Sequence, residues 1–135
     1  MKRLCVIVIA ILTTILICSA AVAPPDKTRG EYKNLKVLPR NISSKALSKM
    51  MVDEFSDALG VGCGFCHAQG KDSLSIDYAS DAKPEKEMAR VMMRMTLRVN
   101  KQFFLQKHPS LTDGPLVVTC NTCHNGKPRP DEEGK

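Results

Sequence analysis

Tryptophan is missing from this 135-residue chain, and aromatic residues make up only 4% of it. So thin a supply of large side chains builds only a modest core, and something else should fill the middle. No basic run interleaved with aromatics occurs, only the pair Tyr32–Lys33, which excludes a nucleic-acid groove. Cysteine is absent from most of the chain. Of the six present, Cys5 and Cys18 lie near the start, and Cys63, Cys66, Cys120 and Cys123 fall in two short motifs. None is left over for the structural disulfides that an exported domain of this size normally uses.

The first residues, "MKRLCVIVIAILTTILICSAAVA", have a basic start at Lys2 and Arg3, an apolar run from Leu4 to Ile17, then small residues. That is the anatomy of a secretory signal peptide, with residues 1–21 removed by a cut after Ala21. The alternative is an uncleaved membrane anchor, since Leu4 to Ala23 nearly suffices to span a bilayer. Either way the rest of the chain is placed outside the cytoplasm, in the periplasm or on the outer face of the inner membrane. The formal charge is +6, and taking away Lys2 and Arg3 leaves +4, which implies at most a mildly basic docking face.

Residues 22–40 are rich in Pro, Gly and charge and read as an extended lead-in. Residues 41–60 read as a helix capped by Ser43 or Ser44 and ended by Gly60, with Leu47, Met51, Phe55 and Leu59 along one side. Residues 68–83 are a polar loop, and a longer helix starts at Pro84 and runs to about Lys107. Met88, Val91, Met92, Met95 and Val99 form its main stripe, with Met93, Leu97 and Phe104 on another side. "HPSLTDGPL" breaks that helix, and residues 131–135 form a disordered tail. The fold class expected is mainly α, with two helices and loops organised by whatever the two motifs hold.

The motifs are "CGFCH" at 63–67 and "CNTCH" at 120–124. Zinc held by four cysteines would leave both histidines surplus. Thiol exchange would need strand–helix alternation around a Cys-x-x-Cys, and none surrounds either copy. Cys-x-x-Cys-His is the attachment site of c-type haem, and it accounts for every residue of both motifs. The thiols of Cys63 and Cys66, and of Cys120 and Cys123, would form thioethers to two haems, with His67 and His124 as proximal ligands of iron. Two covalent haems c would supply the buried apolar surface that the side chains lack, and residues 41–130 would form one two-haem domain. Only His108 remains as a further histidine, and its Pro-Gly surroundings suit a surface or capping role. Methionine, of which there are seven, is the obvious source of distal ligands, although most methionine stripes are core packing.

"FSDALGVGCGFCH" (55–67), "DYASDAKPEKEMAR" beyond it, "MARVMMRMTLRVN" (88–100) and "VTCNTCHNGKPRP" (118–130) together resemble the cytochrome subunit of photosynthetic reaction centres. The likeness covers roughly residues 35–130 and matches one two-haem repeat of a four-haem, two-repeat family. The resemblance implies a cytochrome without implying a photosynthetic partner. It makes Met92 the distal ligand of the second haem and puts the first haem's ligand on the preceding helix. Met51 is preferred there because it shares a face with Leu47 and Phe55, with Met50 the alternative. Gln106 stands where the larger family has a histidine serving the other repeat, so His108 takes no such role.

The expectation is an exported two-haem cytochrome that transfers single electrons between redox protein partners, with possible membrane association through its N-terminal segment. It is not expected to be an enzyme, because both irons are six-coordinate. The rivals are a small haem peroxidase-like enzyme, whose distal ligand must leave, and a zinc-binding interaction module.

Overall fold

The computed structural model describes residues 32–131, so the expected leader, the lead-in before Tyr32 and the last four residues of the tail lie outside the described residues. Helix α1 spans Ser44–Lys49, and the Ser43 side chain caps it by accepting the Ala46 N–H at 3.2 Å. From Met50 to Asp57 the helix continues in π form, whose i→i+5 bonding is rare and frequent at functional sites. A last helical stretch ends at Gly60, whose φ of +66° only glycine adopts freely. A single 3₁₀ turn follows at Cys63–Phe65.

The stretch read as a polar loop contains a minimal hairpin. Strand β1 (Ala68–Gln69) pairs antiparallel with β2 (Ile76–Asp77), Ala68 opposite Asp77 and Gln69 opposite Ile76. Two residues per strand are too few to show a period-two pattern, which is why the sequence hid them.

Helix α2 runs Pro84–Phe103, starting at the expected proline and stopping four residues short of Lys107. Leu105 terminates it in a left-handed conformation, φ 55°. A short third helix, α3, spans Cys120–His124 inside the second motif.

The core is small. Leu38, Ile42, Met50 and Met93 are buried together, and Tyr32, Leu35, Val37, Ala46, Leu47, Met51, Phe55 and Leu111 pack around them. Four residues of the expected lead-in, Tyr32, Leu35, Val37 and Leu38, thus lie in this core or pack against it. The stripe of α2 also needs correction. Its buried face consists of Lys86, Arg90, Met93, Thr96 and Asn100, whereas Met88 (57% exposed), Val91 (46%) and Met95 (47%) stand open. Hydrophobicity alone marked the wrong face, because the core-facing positions are filled mostly by polar groups that hydrogen-bond to loop backbone.

That backbone is held in two places. On one side Asp81 accepts from Asn34 (2.7 Å) and pairs with Lys36 (2.7 Å), Arg90 (2.9 Å) and Lys86 (3.3 Å). The Arg90 and Lys36 bonds hold its carboxyl well below the usual carboxylate range. On the other side the fully buried Asn100 side chain donates to the Thr96 and Val118 carbonyls and accepts from the Val117 and Val118 N–H groups.

Candidate functional site

The first motif hangs from the π segment. Gly60 turns the chain, Phe65 N–H bonds to the Gly62 carbonyl at 3.0 Å, and His67 N–H bonds to the Cys63 carbonyl at 3.0 Å. Lys83, at the mouth of α2, donates to the Gly64 carbonyl between the two cysteines. The hairpin then brings Tyr78 back against His67, edge to face, with ring centroids 5.1 Å apart. Lys86 fixes that return by donating to the Tyr78 carbonyl (2.9 Å) and the Ser80 carbonyl (2.6 Å). His67 Nδ1 is buried with no hydrogen-bond partner among the described residues. Burial, then the Lys86 charge, lower the His67 pKa; the Tyr78 backbone acts in the opposite sense, and Arg90 adds to the lowering.

The second motif is delivered by the Asn100 clasp. Thr119 and Thr122 form a reciprocal capping box at the start of α3, with Thr119 N–H 3.0 Å from the Thr122 hydroxyl. Asn125 (φ 47°) and Gly126 (φ 80°) turn the chain out of it. This turn places the Lys127 carbonyl 2.9 Å from His124 Nδ1. A carbonyl only accepts, so Nδ1 carries the proton and Nε2 is left as a free donor atom, the tautomer a metal ligand needs.

The two motifs are tied to each other. Gly126 N–H bonds to the Ala58 carbonyl at 2.8 Å, joining the exit of the second motif to the helix that enters the first. A β-carbon on Gly60 would come within 2.3 Å of the Gly126 carbonyl oxygen, so that approach requires glycine.

All four thiols are free, and each motif presents one exposed cysteine (Cys63, Cys123) and one half-buried (Cys66, Cys120). Burial raises both half-buried thiols above their ordinary range, with Glu85 adding at Cys66 and Glu54 at Cys120. No group of three or more His, Cys, Asp or Glu gathers into a metal-sized cluster among the described residues, so the cysteine pairs do not converge as one tetrahedral zinc site demands.

The methionines divide by face. Met50 (3% exposed) and Met93 (6%) are core residues that touch the same apolar cluster. Met51 and Met92, their sequence neighbours, are half-buried. His108 is exposed, beside a shallow cleft lined by Leu97, Arg98, Lys101, Lys107 and Pro109, in keeping with a surface role. These donors fit covalently attached haem: paired unbonded thiols, an imidazole held with Nε2 free, and an open apolar face on α2 where a macrocycle would find contact. Sequence reasoning missed Asn100, Asp81, Lys86 and Arg90. Their signal was polar residues at helical spacing on one face of α2, a pattern ordinarily read as a solvated face.

A family model described as photosynthetic reaction centre cytochrome C subunit matches residues 14–133. The chain is 37% identical over 95 residues to cytochrome c-554 of Chloroflexus aurantiacus, covering 70% of this chain and 20% of that protein. It is 33% identical over 101 residues to the photosynthetic reaction center cytochrome c subunit of Rubrivivax gelatinosus, covering 75% of this chain and 24% of that one. The same subunit of Roseobacter denitrificans is 24% identical over 98 residues, with 67% of this chain and 25% of that protein covered. The chain therefore spans about a fifth to a quarter of the length of these curated relatives. No solved structure matches it with significance. With two Cys-x-x-Cys-His motifs on a mostly helical frame and a family match over most of its length, the chain belongs to the photosynthetic reaction centre cytochrome c subunit family.

Proposed function

We propose that this chain is an exported two-haem cytochrome that carries electrons one at a time between redox protein partners outside the cytoplasm. Cys63, Cys66 and His67 would hold one haem c, and Cys120, Cys123 and His124 the other. The observation that carries this is the donor set: every described cysteine is free and paired with a motif histidine, and His124 is already locked in the ligating tautomer. When bound, haem iron supplies a one-electron couple whose potential depends on its axial ligands and surroundings.

Met92 is the proposed distal ligand of the second iron and Met51 that of the first, with Met50 the alternative. The partial exposure of Met92, which lies outside the core cluster, supports it; Met51 is also half-buried but packs against that cluster. Met93 and Met50 are already committed to the Leu38–Ile42 core, whereas their neighbours keep part of their surface free. A thioether favours reduced iron and suits a carrier. If Met92 and Met51 complete the donor sets of His124 and His67, the haems would have no open site, which favours a carrier over a peroxidase-like catalyst. Among the described residues no helix is long and apolar enough to cross a membrane, so any membrane association would come from the N-terminal segment.

The test is protein expressed with its leader in a host that matures c-type cytochromes. Intact mass should show two haem additions, and acid-acetone should leave the colour on the polypeptide. Extractable haem, or a zinc ion in place of haem, overturns the proposal. The reduced protein should not bind carbon monoxide at neutral pH. Deleting residues 1–21 should give a colourless, thiol-bearing product.

A further inference from the structure

We propose that the turn closing α2, with Phe103, Phe104 and Leu105 as its apolar tip and Arg98, Lys101, Lys107 and His108 as its basic flank, docks the protein on an anionic phospholipid surface. Such docking is separate from electron carriage and does not depend on the number of haems.

The chain has four phenylalanines, and two of them stand side by side in this turn. Phe103 is 69% exposed, Phe104 46% and Leu105 83%. Leu105 has a φ of 55°, a left-handed conformation that costs a leucine energy and a glycine none. The Gln106 N–H, bonded to the Asn100 carbonyl at 3.2 Å, holds the chain in that turn. Glycine is the ordinary choice at such a helix end. Here a large apolar side chain is kept in water instead, at a conformational cost. The haem sites do not account for it. Phe103 lies about 16 Å along the helix axis from Met92, and Lys101 lies about 180° around the helix from Met92.

The flank is of one sign. Between Glu87 and Asp113 the chain has no acidic residue. Arg90 pairs with Asp81 and Glu87, and Arg94 with Glu87. Arg98, Lys101 and Lys107 have no ion pair or hydrogen bond among the described residues. These three line one shallow cleft with His108, Leu97 and Pro109. Exposed apolar side chains flanked by lysine and arginine match the headgroup boundary of a bilayer. The rings and Leu105 would enter it, the lysine stems would lie along the acyl surface, and the ammonium groups would meet lipid phosphate. A protein partner fits less well. A stable protein interface needs about 800 Å² on each side around a well-packed centre, and here the apolar part is a single turn. The N-terminal segment points the same way. If the apolar run Leu4–Ile17 stays in the bilayer, residues 18–31 hold the domain within about 50 Å of its surface. The turn would then add a second attachment to the first.

In the experiment, haem-loaded protein is titrated with vesicles of phosphatidylcholine, with or without phosphatidylglycerol, and the lipid concentration that sediments half of it is read. The N-terminal segment is common to all variants, so differences among them come from the turn. Wild type should need about tenfold less lipid when phosphatidylglycerol is present. Lys101→Gln combined with Lys107→Gln should lose most of that preference, and so should wild type in high salt. Leu105→Gly should need about tenfold more anionic lipid while melting no lower than wild type, a combination that a merely structural residue would not give. Phe103→Ser should weaken binding likewise and leave the haem absorption unchanged. Wild type without a preference for anionic vesicles, or Leu105→Gly binding them as wild type does, would overturn the proposal. So would a shifted haem spectrum in Phe103→Ser, which would put the turn in a haem pocket. Variants that keep wild-type vesicle binding but lose retention on immobilised polyglutamate would assign the patch to an acidic protein and overturn it as well.

Discussion

The side-chain amide of Asn100 holds both polar groups of the Val118 backbone: Nδ2 donates to its carbonyl at 2.7 Å, and Oδ1 accepts its N–H at 3.0 Å. The same oxygen takes the Val117 N–H at 2.9 Å, and Nδ2 also reaches the Thr96 carbonyl at 2.9 Å. A single fully buried residue thus matches two stretches of backbone that would otherwise be dry and unpaired. It does so two residues before Cys120.

Asn100→Ala should therefore cost roughly 3 kcal/mol, since several buried groups lose their partner at once. Denaturant unfolding of the haem-loaded protein measures this. Asn100→Asp should be no milder, because it replaces a donor with a carboxylate oxygen facing the Thr96 and Val118 carbonyls.

Gly60→Ala should destabilise by more than about 1 kcal/mol, through its positive φ and through collision with the Gly126 carbonyl. Gly64→Ala, whose β-carbon would meet nothing within 4 Å, is the matched control and should fold normally. Thermal melting of the pair separates a local backbone demand from a general intolerance of side chains near the motifs.

Met92→Ala and Met93→Ala should differ in kind. Met93 is core, so its removal should cost about 2 to 5 kcal/mol and leave the spectrum alone. Met92→Ala should remove part of the weak sulfur-to-iron absorption of the oxidised protein, and Met92→His should restore six-coordination at a lower potential. Met95, nearly half exposed, should tolerate alanine without either effect.

Asp81 should make the protein acid-sensitive. Its pKa is depressed in the folded chain by Arg90, Lys36, Lys86 and Asn34, so its pairing stabilises fully above the unfolded value of 3.8 and is lost as pH falls below that toward the folded one. Melting temperature should fall more steeply between about pH 5 and pH 2 in wild type than in Asp81→Asn. The variant should be the less stable of the two at neutral pH, and the gap should close in acid.

The helices were readable where local chemistry marks them. Ser43 caps as expected, Pro84 opens α2, and Gly60 closes the first helix. Three elements and one helix face were not. The π segment has no sequence marker, the hairpin is too short for periodicity, α3 lies inside a motif that looked like loop, and α2 buries Lys86, Arg90 and Asn100 in place of its methionines. The last point follows from what the partner of that helix is. It packs against loop backbone, which calls for donors and acceptors, and hydrophobic patterning presumes an apolar partner. The attachment residues were legible because the motif names its own chemistry. Spacing alone did not separate the proposed distal methionines from packing ones; Met50 and Met93 are buried in the core, and Met51 packs against it.

The segment from Gln106 to Pro115 is closed at its neck, where Gln106 Nε2 donates to the Pro115 carbonyl at 3.0 Å, and both flanks are anchored to Asn100: Gln106 N–H to its backbone carbonyl and Val117 to its side chain. Spacing along the chain between the motifs is therefore uncoupled from their spacing in space. Residues added at the exposed Asp113–Gly114 tip would lengthen the excursion without displacing either anchor. An affinity tag or a surface-immobilisation peptide grafted at that tip should leave Cys120 and His124 where they are.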